Sequence, residues 1–166
     1  MVNGFYINTA MNTCGGGALR TKELSVMNVI SDTKVKHDWN SISDSVIREK
    51  PAFIKKTRDC MFLSNISILE ELLSAYSFTV NMFIEDDGTV TLSLVEIDIV
   101  ENALNERDAL NKMACAILEY SEDYYNDFAY WARGSRKSHI PYVIKSLILN
   151  DVEKIGGLIE CRRGET

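Results

Sequence analysis

Residues 78–94 constrain the fold of this chain more than any other stretch. Phe78, Val80, Met82 and Ile84 alternate with Thr79, Asn81, Phe83 and Glu85, the period of two that a strand with one buried face requires. Asp86-Asp87-Gly88-Thr89 follows, and Asp-Gly tolerates the positive φ of a tight hairpin turn. Val90, Leu92 and Leu94 resume the alternation before its parity shifts to Val95, Ile97 and Ile99. Such a change of face predicts a bulge near Leu94-Val95. Asn105, with Asp108 three residues on, suits the cap of a long helix. Ala109, Leu110, Met113, Ala114, Ile117, Leu118, Tyr124 and Phe128 give that helix a broad apolar face. Residues 133–137 (Arg-Gly-Ser-Arg-Lys) are expected to break it. Pro141 can open a further helix through Leu149. Asn150 or Asp151 can cap a last helix, with Ile155, Leu158 and Ile159 inward. Gly156-Gly157 should weaken that helix by about 1 kcal/mol per glycine relative to alanine.

Upstream lies a smaller pattern. Met27 to Ile30 reads as a short strand, and residues 33–48 as one amphipathic helix. Val35, Trp39, Ile42 and Val46 fall on a single face of it. Thr33 can cap this helix and Lys50-Pro51 ends it. Ala52 to Lys56 reads as a strand, residues 57–59 as a turn, and Cys60 to Ser64 as the returning strand. A second helix starts at Ser67. A core this small is expected to need a partner subunit. Residues 1–26 show no sustained period and are read as a disordered extension, with Met27 a candidate native start.

The fold class is therefore α+β. A strand-helix-hairpin-helix unit over 27–75 precedes a hairpin-plus-long-helix module with C-terminal helices over 76–166. The 166 residues carry 18 basic and 24 acidic side chains, a net charge of −6. Taken whole, that balance argues against nucleic-acid binding, yet the charge is unevenly spread. Residues 27–60 hold seven basic and five acidic groups, net +2, whereas 76–130 hold two and twelve, net −10. Segregation of this kind points to two functional surfaces.

Enzyme chemistry finds little support. The four cysteines (14, 60, 115 and 161) have no zinc spacing and read as separate thiols of a reducing cytoplasm. Gly15-Gly16-Gly17 lacks the Lys-Ser/Thr of a phosphate loop and reads as linker. His37 and His139 lie in different units, and no nucleophile is evident beside either. Asp86, Asp87, Glu96, Asp98 and Glu101 resemble a two-metal set in composition, but they read better as turn residues and solvated carboxylates. No cofactor or metal is expected. No apolar run approaches the ~20 residues of a membrane helix, and the first residues are not a signal peptide. The aromatic run Tyr120, Tyr124, Tyr125, Phe128, Tyr130 and Trp131 suits a core or a protein interface.

Residues 28–73 resemble the amino-terminal half of the Phd/YefM antitoxins. The likeness rests on Asn28-Val29-Ile30-Ser31-Asp32-Thr33-Lys34-Val35-Lys36-His37-Asp38-Trp39, on Lys50-Pro51-Ala52-Phe53-Ile54-Lys55-Lys56-Thr57-Arg58, and on Leu63-Ser64. It implies a dimer, or a higher homo-oligomer, that binds operator DNA and represses its own operon. Lys34, Lys36, His37, Lys55, Lys56 and Arg58 are the implied DNA contacts. Lys36 and Lys56 stand where the family has basic contacts, often Arg in the first case. Lysine lacks the bidentate fork that reads guanine, so phosphate contact is expected. Residues 78–125 are similar in shape to the HicB-type module, through Asp86-Asp87-Gly88 and Asn105-Glu106-Arg107-Asp108-Ala109-Leu110. The HicB proline and Gly-Cys after the second strand are absent. The combined resemblance implies a cytoplasmic antitoxin that binds a cognate toxin without turnover. Asp98, Glu101, Tyr124, Tyr125, Phe128 and Trp131 are the candidate partner contacts. The alternatives are a stand-alone regulator that binds a ligand or protein, and a ribonuclease-H-like hydrolase.

Overall fold

The computed structural model describes residues 29–163. The candidate start Met27, the extension before it with Cys14, and the glycine run lie outside these residues. The fold is α+β, with seven α-helices and two sheets among the described residues. It divides into two compact units, one ending at Ser64 and the other beginning at Asn65.

In the first unit, β1 (Val29–Ser31), β2 (Ala52–Lys56) and β3 (Asp59–Leu63) form a sheet in the order β1-β2-β3. β1 runs parallel to β2, and β2 is antiparallel to β3. The parallel pairing needs a crossover, which α1 (Asp32–His37) and α2 (Trp39–Arg48) supply. The expected single helix is thus two. Asp38 carries φ −113° and ψ 25°, outside helical geometry, and separates them. The cap is also Ser31, whose side chain accepts the Lys34 N–H, and not Thr33. The break changes which residues face inward. Ile42 and Val46 are buried against Ala52, with Ile30, Val35 and Leu63 around them. Trp39, expected on that face, is 51% exposed. The turn between β2 and β3 places Thr57 at φ 56°, a left-handed conformation unusual for a β-branched residue.

The second unit takes in α3 (Ile66–Leu72), which packs on α6 (Ile140–Leu149). The compact boundary therefore falls before this helix, upstream of the one expected near residue 75. Asn65 caps α3 by accepting the Ile68 N–H, so the helix begins ahead of Ser67. β4 (Phe78–Ile84), β5 (Val90–Leu94), β6 (Val100–Ala103) and β7 (Ile159–Arg163) form a sheet in the order β6-β5-β4-β7. The Asp-Gly hairpin forms as expected. Gly88 has φ 82°, and Asp87 Oδ1 accepts both the N–H and the hydroxyl of Thr89 at 2.9 and 2.7 Å. These bonds hold the Asp87 carboxyl below its ordinary pKa.

The expected bulge at Leu94-Val95 is instead the end of β5. The chain turns over residues 95–99 and returns as the antiparallel β6. The turn is tied down by Leu94 N–H to Ile99 O and Val95 N–H to Thr79 O, both 2.9 Å. Both apolar sets are accounted for, because Ile97 packs into the core from the turn while Val95 is exposed.

α4 (Glu106–Asn126) lies on this sheet with its cap as expected, Asn105 Oδ1 accepting the Asp108 N–H at 3.0 Å. Ala109, Met113, Ala114 and Ile117 pack against Phe78, Val80, Leu92 and Leu94. The helix ends at Asn126, before the Arg-Gly-Ser-Arg-Lys stretch expected to break it. α5 (Phe128–Trp131) and a 3-10 turn (Gly134–His139) then lead into α6, with Pro141 in its first turn. Tyr124 donates to Arg136 O at 2.8 Å, and Tyr120 and His139 Nδ1 share a hydrogen bond of 2.7 Å. These two bonds clasp the 3-10 turn to α4. Asp151 caps α7 (Val152–Gly157), which buries Ile155. Leu158 and Ile159 are not on this helix. The chain leaves it after Gly157, and Ile159 opens β7, a strand parallel to β4 that the sequence reading lacked. Its alternation is hidden because Glu160, Cys161, Arg162 and Arg163 of this edge strand are all exposed.

Two outcomes follow from this packing. A Cβ at Gly156 would meet only the Ala114 Cβ, at 3.8 Å, so Gly156→Ala should raise stability by about 1 kcal/mol in urea unfolding. Burial pushes the His139 pKa down, opposed by Asp98 and assisted by Arg136. The folded chain then binds a proton less readily than the unfolded one. The histidine's contribution is intact above the unfolded value of about 6.5 and is lost as the pH falls through it. Melting of wild type should drop more between pH 7.5 and 5.5 than that of His139→Gln.

Candidate functional site: a basic sheet end and an acidic aromatic ridge

The first candidate surface is built by the register of the small sheet. Ser31, the last residue of β1 and the cap of α1, pairs with Lys55 of β2. This register sets the start of α1 beside the end of β2, and the two elements are in contact. Lys34 and Lys36 on α1 and Lys55 and Lys56 on β2 are all exposed there. His37 is exposed at the end of α1 and Arg58 in the following turn. Lys36 forms an i,i+4 ion pair with Asp32 at 3.6 Å, its ammonium still open to solvent. A pair this exposed is worth little, and a phosphate could displace it. The sheet face away from Ile42 and Val46 carries Phe53 and Phe62, paired in register with ring centroids 5.2 Å apart.

The second surface is at the C-terminal end of α4. Tyr125 is 59% exposed, Phe128 37% and Tyr130 60%. Ring contacts of 5.6 to 6.4 Å run from Tyr125 to Phe128 to Tyr124, and contacts of 6.0 and 5.9 Å continue to Trp131 and Tyr130. Tyr124 is fully buried in this series. Its ring packs against Phe128 and Trp131 and its hydroxyl is engaged by Arg136 O, so it contributes support and no exposed surface. Trp131 is half-buried, with the Arg136 guanidinium 4.5 Å from its ring centroid, a cation–π distance. Burial raises the pKa of both Tyr120 and Tyr124.

Asp98 is exposed in the turn before β6, close enough to His139 and Tyr120 for its charge to bear on both. Glu101 lies on β6, paired with Leu92 at the sheet edge, and is partly buried. Sequence reasoning did not single out Glu122, Asp123 or Asp127, all exposed in the last turns and at the C-cap of α4. The signal was available, since Glu119, Glu122, Asp123 and Asn126 fall at i, i+3, i+4 and i+7 opposite the apolar face.

The acids weighed as a metal set have other tasks. Asp87 closes the hairpin turn, and Glu96 accepts the Thr79 N–H at 3.0 Å. Among the described residues, no group of three His, Cys, Asp or Glu side chains is placed to hold a metal ion, and no helix is long and apolar enough to cross a membrane.

The fold is similar to that of a solved structure. The crystal structure of the antitoxin part of a proposed toxin/antitoxin system from Syntrophomonas wolfei subsp. wolfei is similar, with a TM-score of 0.79 and 28% identity. The match covers 83% of this chain and 100% of that one. No curated protein matches the chain. The PHD-like family, described as the antitoxin of toxin-antitoxin, RelE / RelB, TA system, matches residues 26–161. Both matches are antitoxins, which are regulatory proteins and not enzymes. With the family matching across both units, this chain belongs to the PHD-like antitoxins of toxin–antitoxin systems.

Proposed function

We propose that the chain neutralises a cognate toxin through its second unit and represses its own operon by binding operator DNA through its first. The observation that carries this reading is the separation of charge between two independently built units. Residues 27–60 have net charge +2 and residues 76–130 net −10. In the first unit the register of β1 on β2 gathers Lys34, Lys36, Lys55 and Lys56 at one end of the sheet. A phosphate backbone is bound by such point charges without base readout.

A dimer would present this basic end twice. Phe53 and Phe62, on the sheet face away from the Ile42–Val46 core, offer it an apolar surface. The arrangement supports the Phd/YefM resemblance of this unit, and the hairpin followed by α4 supports the HicB-like reading of the second. The work is cytoplasmic in this reading, where operator and toxin are both found. Neutralisation is steric and electrostatic: an acidic face steers a cationic partner and covers its working surface.

The test is charge reversal in the first unit. Lys36→Glu should weaken binding to the DNA upstream of its own gene at least tenfold in a gel-shift titration. Loss of one phosphate contact per protomer should also lower the salt slope of a dimer by about 2. Toxin binding, measured separately by calorimetry, should be unchanged. Retained operator affinity would remove Lys36 from the DNA surface.

A further inference from the structure

We infer that the C-terminal end of α4, together with α5, is the docking surface for the toxin, and that the segment it receives is both cationic and apolar. This rests on the toxin-binding reading above and adds the place and the chemistry.

The first argument is electrostatic. A helix carries partial negative charge at its C-terminus, where cations are favoured and carboxylates disfavoured. α4 does the reverse. Glu122 and Asp123 lie in its last turns and Asp127 is its C-cap, and its last turn holds no basic residue. None of the three carboxylates takes part in an ion pair among the described residues. Their repulsion, with one another and with the helix dipole, is left standing in the isolated chain. A cationic partner would relieve it.

The second argument is the apolar surface beside them. Tyr125, Phe128 and Tyr130 are exposed, and the buried Tyr124 and the half-buried Trp131 join them into one run of touching rings. Aromatic rings of this kind anchor protein interfaces because they supply large contact area at small entropic cost. These rings are also held before any partner arrives, since Tyr124 is fixed by Arg136 O. Preorganisation of that sort reduces the cost of binding.

The third argument is that the chain already demonstrates the chemistry. Its own Arg136 places a guanidinium 4.5 Å from the centre of the Trp131 ring. The rest of the run, with carboxylates on the same helix end, is open to further cations. Charge and rings together select a segment with arginine or lysine interleaved with apolar side chains. A purely apolar partner would leave the carboxylates unpaired.

The full chain is co-expressed with the protein encoded beside it, and the purified pair is measured by calorimetry. Circular dichroism melting checks that each variant folds. Glu122→Lys/Asp123→Lys and, separately, Tyr125→Ala/Phe128→Ala should each weaken binding at least tenfold. Asp86→Lys, at the tip of the hairpin, removes an acid of the same unit away from the ridge and should leave affinity within twofold. A loss in Asp86→Lys as large as in Glu122→Lys/Asp123→Lys, with Tyr125→Ala/Phe128→Ala unaffected, would show that only net charge matters and would overturn the assignment of place. Unchanged affinity in both ridge variants, with wild type still binding, would overturn the docking surface while leaving toxin binding intact. Failure of wild type to bind the neighbouring product would overturn the toxin-binding reading itself.

Discussion

Met113, Ala114 and Ile117 are fully buried where α4 lies on the sheet of the second unit, against Phe78, Val80 and Leu92. The rest of that unit depends on this contact. A hairpin alone is marginal in water, and β4 and β5 gain a stable face only when α4 covers it. α6 and α7 pack in turn on α4. Ser121 is completely buried in α4 and bonds back to Ile117 O at 2.7 Å; Ser146 does the same in α6 to Tyr142 O at 2.9 Å. A small side chain whose hydroxyl is satisfied within its own helix lets another element approach closely without leaving a polar group unpaired.

The same helix has two tasks. One face is buried from Ala109 to Tyr124, and the other, in its last turns, carries the exposed Glu122, Asp123 and Tyr125. The 3-10 turn connects the two, because Tyr120 and Tyr124 reach from the buried side of α4 to His139 and Arg136. A rigid helix therefore presents the ridge, and its orientation is set by core packing. The first unit follows another logic. Its core is small, and its charged residues are positioned by strand register and by the Ser31 cap.

Elements fixed by local chemistry were legible in the sequence. The Asp-Gly turn, the Asn105 cap and Pro141 at the start of α6 are encoded within a few residues, and each formed where expected. The α+β class followed from them. What was not legible depended on distant partners. β7 has four exposed residues out of five and gains its identity only from pairing with β4. The parity shift after Leu94 has the same pattern in a bulge as in a turn, and the Leu94 N–H bond to Ile99 O, which closes the turn, decides between them. Trp39 falls on the apolar face of an unbroken helix, and the interruption at Asp38 turns it outward. In the ridge, the exposed rings Tyr125 and Phe128 were recognised from composition. Burial of Tyr124 was not, since a tyrosine at the end of an apolar face reads the same whether covered or open.

The parallel pairing of β7 with β4 has a consequence for how the second unit is made. Phe78 must find Ile159, so the sheet closes only after everything between them has been synthesised. Pairing over such a separation carries a large loop-closure entropy and forms late and slowly compared with local contacts. The hairpin and α4 can assemble first, as a subset of the final core. On a translating ribosome the ridge on α4 would thus emerge ahead of the strand that completes its sheet. An intermediate that already shows its aromatic rings, but still lacks β7, would be the species most prone to premature association.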